Sequence, residues 1–166
     1  MKKSELVLLT FVPILVGYLI NATFFIPVIG TLLFYILPIV VLAFWFWLGS
    51  QYSKTDWGMV PSILIGSATG VLSLALYLWQ FLGQSDETRN MNLAVLSQMY
   101  SAATPGYLFA RLAMMFESQS NYVGKTTALA MQIIPVILMI AIFTFGYYWG
   151  KTHQVKRKCD EFPKQK

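Results

Sequence analysis

In 166 residues of which 57% are hydrophobic and only 11% charged, with a mean hydropathy of +0.60, there is too little charge for a water-soluble domain, where about a quarter of residues carry it. The apolar residues also run in blocks longer than strands or ordinary core helices, so lipid is the solvent for most of the chain. The net charge of +5 does not point to nucleic acid, because the basic residues stand at the ends of apolar blocks rather than on one folded face.

The chain opens with Lys2, Lys3 and Glu5, and an apolar run follows from Leu6. This is how a signal peptide begins, but no A-x-A cleavage site follows, and the segment is expected to be an uncleaved first span over about 5–25. Leu6 to Gly49 holds no charge and is too long for one crossing. Pro27, without an amide donor, and Gly30, which turns cheaply, mark a hairpin into a second span over about 31–49. A third span is expected over about 58–82 and a fourth over about 127–149, each near the 20 residues that cross a hydrocarbon core of about 30 Å. Pro61 fits a helix start, whereas Pro13, Pro38 and Pro135 are placed to kink their helices. A basic tail over about 150–166 completes a single transmembrane domain.

Four spans create two sides. One holds Lys2, Lys3, Lys54, Lys151, Lys156, Arg157, Lys158, Lys164 and Lys166, the other Arg89, Arg111 and Lys125. The positive-inside bias therefore puts both termini in the cytoplasm of a multi-pass cell-membrane protein, with Trp45, Trp47, Trp57 and Trp149 at the inner interface.

The segment from about 84 to 126 is harder to read. Residues 93–116 are apolar enough for a fifth span, yet Arg111 costs roughly 2.5–3.5 kcal/mol near a helix centre, and a fifth crossing would send the basic tail outward. The expectation is an external amphipathic helical hairpin broken at Thr104-Pro105-Gly106, with Leu96, Met99, Leu112 and Phe116 turned to the membrane or the bundle and Ser97, Gln98 and Ser101 turned away.

Chemistry-bearing residues are sparse. No Asp, Glu, Lys, Arg or His falls within the four expected spans apart from Glu5 at a boundary, which weighs against proton relays and ion-coupled carriers. Neither a paired intramembrane carboxylate nor H-E-x-x-H is present, and His153 lies in the tail, remote from any nucleophile. Cys159 is the one cysteine, so no intrachain disulfide can close. No catalytic residue, cofactor or metal is expected. Ser62, Gly66 and Gly70 form a small-residue stripe suited to close helix packing, within the chain or against a second copy or another membrane protein. Asn21 suits a hydrogen bond to a neighbouring helix. Arg111 with Glu117, and Asp86, Glu87 and Arg89, are the charges placed to meet an external ligand or partner, Arg111 and Glu117 being the recognition pair.

The fold class expected is thus an all-α integral membrane bundle of four spans with an external hairpin. Its expected work is that of a non-enzymatic accessory, regulatory or assembly partner of other membrane proteins, with the lipid bilayer and another membrane protein or a second copy as partners and no nucleic acid. The alternative is a small permease, or a membrane subunit of one, for a neutral or lipid-like solute passing Asn21, Ser67, Thr69, Ser73 and Gln132.

Overall fold

The computed structural model describes residues 1–23, 25–106, 117 and 124–161, the stretch 155–161 by its backbone alone. Among these the chain is helical: α1 (Lys3–Leu9), α2 (Val12–Thr23), α3 (Ile29–Tyr52), α4 (Met59–Leu82), α5 (Met91–Ala102) and α6 (Lys125–Glu161). Four stretches are long and apolar enough to cross a membrane, namely Lys3–Thr23, Ile29–Tyr52, Met59–Leu82 and Lys125–Gln154. They run up and down, so both termini lie at one end of the bundle, where Lys3 pairs with Asp56 at 3.5 Å and Tyr147 donates to the Trp57 carbonyl. We call this the termini end and the other the distal end.

Proline chemistry shapes the first span. Pro13 has no N–H to close the turn and its ring crowds the preceding one, so the helix breaks at Thr10 and Phe11 between α1 and α2. The Ile14 amide goes to the Phe11 carbonyl, and the Thr10 carbonyl freed at this break accepts the Thr69 hydroxyl at 3.0 Å, the intramembrane way to satisfy a released backbone group. The turn into α3 does not use Gly30, which is buried inside that helix. Val28 makes the reversal instead, at φ 65 and ψ −59, and the Ile29 amide reaches over it to the Pro27 carbonyl at 2.7 Å. This is a γ-turn, strained for a β-branched residue.

The interior mixes small polar residues with apolar ones such as Leu6, Val41, Leu48 and Met139. Ser62, Ser67, Thr69, Ser73, Ser97, Ser101, Thr104 and Gln132 are buried, while Leu15, Ile39, Leu64, Leu72 and Ile137 are exposed. Lipid is as apolar as leucine, so nothing drives aliphatic side chains inward, and small residues that admit close backbone contact take the inside. At the termini end α3 and α6 pack backbone to backbone: a Cβ on Gly146 would lie 2.9 Å from the Phe46 carbonyl carbon, and one on Gly150 2.8 Å from the Ser50 carbonyl oxygen. Trp45, Tyr52, Phe143 and Tyr147 fill the space beside this pair, each almost wholly shielded, with Tyr52 edge-on to Phe143 at 5.2 Å.

The external-hairpin expectation is revised for the described part of residues 93–116. α5 does not lie across the end of the bundle but enters it, packed against α2, α4 and α6. Tyr100 is 1% exposed and lies against Gly70, the midpoint of α4, while Met99 lies against Gly17 of α2. The polar face departs from expectation, since Ser97 and Ser101 point inward, while Met99 is buried as expected and Val95 and Leu96 are about half exposed. An interfacial helix in water would hide the aliphatic face; one inside a lipid-embedded bundle turns it outward. Nor is α5 the start of a continuous fifth span, since it ends at Ala102. The chain then meets α6 at its proline notch, where Gly106 touches Pro135 and a Cβ on it would lie 3.1 Å from the Met131 carbonyl. Pro135 cannot donate to that carbonyl, and only glycine fits so close. α5 is therefore a half-helix descending from the distal end to mid-bundle. The remainder of 93–116, with Leu112 and Phe116, lies outside the described residues.

Candidate functional site

Insertion of α5 leaves a cleft of about 490 Å³ at the distal end, lined by the end of α4 (Tyr77, Phe81, Leu82), Arg89, Gln98 of α5, and the first turns of α6 (Lys125, Ala128, Leu129, Met131, Gln132). All of these lie in the distal half, whereas the shielded aromatics Trp45, Tyr52, Phe143 and Tyr147 occupy the other.

Arg89 is the best-fixed charge in this region. It follows the end of α4, its Nε donates to the Gln80 carbonyl at 3.0 Å, its Nη2 reaches Asp86 at 2.8 Å, and its guanidinium lies 4.6 Å from the centre of the Phe81 ring. Gln80, fully buried, holds the same loop by accepting the Asn90 amide on its side-chain oxygen at 3.0 Å. Asn90 in turn caps α5, accepting from the Asn92 and Leu93 amides. One interhelical loop thus orients the arginine and starts the inserted helix. Phe81 is braced by Tyr77, stacked at 4.5 Å.

The second cation, Lys125, is exposed at the start of α6 and has no ion pair among the described residues. Glu117 belongs to α6 structurally: its Oε1 accepts the Gly124 amide at 2.9 Å and the Thr127 hydroxyl, and these bonds, Thr127 first, lower its pKa below the ordinary 4.5. It caps the start of the helix, and its pairing with Arg111 falls outside the described residues because Arg111 does.

The small-residue stripe faces the interior. Ser62 is fully buried, Gly66 lies beneath the Phe143 ring, and a Cβ on Gly70 would come 2.7 Å from Tyr100. Sequence reasoning overlooked Gly49, Gly146 and Gly150, which carry the backbone contact of α3 with α6, although Gly146 and Gly150 repeat the four-residue spacing. It singled out Arg89 as an external charge but overlooked Gln80 and Asn90, which fix the loop that carries it. The polar residues grouped for a solute path do not converge. Thr69 bonds to Thr10, Ser73 donates to the Ser97 carbonyl at 2.6 Å, Asn21 donates to Gly17 and Met99, and Gln132 alone of that group lines the cleft. Among the described residues no three of His, Cys, Asp and Glu gather as metal ligands would.

Comparison with known proteins found no matching family model, no similar curated protein and no similar solved structure.

Proposed function

We propose that this is a non-enzymatic multi-pass protein of the cell membrane, with both termini cytoplasmic, that works by binding: an accessory, regulatory or assembly partner of other membrane components. One observation carries the reading. The cleft is confined to the distal half, and the aromatic cluster of Trp45, Tyr52, Phe143 and Tyr147 fills the bundle beyond it, an arrangement suited to holding a ligand or partner rather than passing one. Lysine and arginine distribution supports the orientation, and cysteines at Ser85 and His153 should label from opposite faces of the membrane.

The small permease remains the second reading, favoured by the half-helix that ends at mid-bundle, a device by which transporters expose backbone to a cavity. Vesicles containing the purified chain and loaded with neutral or lipid-like solutes separate the two. Flux equal to that of protein-free vesicles is expected. Solute-specific flux selects the permease, and a chain that leaves native membranes as a lone monomer overturns the accessory role.

A further inference from the structure

We propose that the cleft between α4, α5 and α6 binds one anionic amphiphile, its charged head group held between Arg89 and Lys125 and its apolar part lying along Tyr77, Leu129 and Met131. The inference rests on the binding reading above and names the ligand class.

Four observations converge on it. Among the described residues the lining carries two cations and no carboxylate. Asp86, which partly offsets Arg89, is almost fully exposed outside that lining, and the Glu117 carboxylate is taken up by Gly124 and Thr127, so the lining itself is positively charged. Arg89 is anchored by one nitrogen to the Gln80 carbonyl and by the Phe81 ring, a fixed fork of the kind that recognises phosphate or carboxylate. Gln132 is 6% exposed and lines the cleft, which puts an amide within reach of a ligand's polar atoms. Apart from Gln98, the remaining wall is aromatic and aliphatic, and the volume suits a small amphiphile or the head and glycerol region of a larger one. Inorganic phosphate would use the cations but leave the Tyr77–Met131 wall without a function.

The test uses the full chain in nanodiscs of phosphatidylcholine doped with phosphatidylglycerol, with native mass spectrometry counting retained lipid. One phosphatidylglycerol should be held in preference to phosphatidylcholine. Lys125→Gln should weaken retention about fivefold, the factor equivalent to the ~1 kcal/mol that one cation contributes near an anionic surface. Asp86→Asn, which releases part of the guanidinium, should strengthen it. Arg89→Gln can lose the α4–α5 loop along with the ligand, so Lys125, free of structural bonds to the described residues, carries the decision. Equal retention of the two lipids, or an unchanged Lys125→Gln, overturns the proposal. So does equal weakening by Lys54→Gln at the termini end, which would reveal surface attraction alone. Displacement of the lipid by millimolar inorganic phosphate assigns the site to a free anion and overturns the amphiphile. Failure here with no vesicle flux removes the ligand and leaves the binding reading intact, whereas flux removes that reading.

Discussion

At the termini end, α3 and α6 touch through Gly49, Gly146 and Gly150 while buried aromatics fill what the glycines leave open. At the distal end, α2, α4 and α6 stand around the twelve-residue α5, joined by hydroxyl-to-carbonyl bonds, and leave a cleft. Both solutions work in lipid, but they differ in tolerance. Backbone-to-backbone contact, which also seats α5 at Gly17, has no side chain to move aside, whereas the α4–α5 contact through the Tyr100 ring and the Ser73 hydroxyl can shift and re-bond. The first end suits a rigid base, the second a binding surface.

The largest expected effect attacks the rigid end. Gly146→Leu drives a side chain into the Phe46 backbone, and overpacking that no rotamer relieves should cost about 3 kcal/mol or more; thermal unfolding in detergent should show a deep loss. An unchanged melting temperature would mean that the two ends do not differ in the way described. Gly70→Leu should cost less, roughly 1–3 kcal/mol, because Tyr100 is a side chain and α5 can retreat. Here a cysteine at Ser101 should change from protected to reactive, and continued protection would show that α5 is not seated on Gly70.

Ser73→Ala removes the 2.6 Å bond that ties α4 to α5, for about 0.5–1.5 kcal/mol. Hydrogen exchange at the end of α5 should rise while the α3–α6 pair stays protected, and an equal rise in both would merge the two regions into one cooperative unit. The smallest effect concerns Glu117. Its folded pKa is lowered by bonds from Thr127 and Gly124, so the stabilisation is present above the ordinary value of 4.5 and fades as pH falls through the lower folded value. Glu117→Gln should flatten that acid-side slope by lowering stability at neutral pH toward its acid value, as measured by unfolding against pH; an unaltered slope would assign the acid sensitivity elsewhere.

How far the sequence could be read depended on the range of the interactions involved. The four crossings follow from length and hydropathy, and their bounds shifted by no more than a few residues, as with 58–82 against Met59–Leu82. Pro13 announced a break, but not that Thr69 would satisfy the freed carbonyl. The turn near Pro27 was visible, yet Val28 rather than Gly30 took the left-handed conformation. Arg89 was visible as a charge that could meet an external ligand, but its orientation was not, because that depends on a carbonyl nine residues earlier and on the Phe81 ring of α4.

By itself, then, the sequence determined that the chain is helical and made for lipid, because hydrophobic run length against bilayer thickness is a one-dimensional comparison. It did not determine where residues 91–106 go. The same amphipathic pattern serves a helix on the membrane surface with its aliphatic face down or a helix inside the bundle with that face out, and periodicity cannot tell them apart. The choice rests on partners distant in the chain: Gly17 and Gly70 open the space, Ser73 holds the Ser97 carbonyl, and Pro135 leaves the notch into which Gly106 fits. Only when those residues are brought together does the inward position become the favourable one, and with it the cleft.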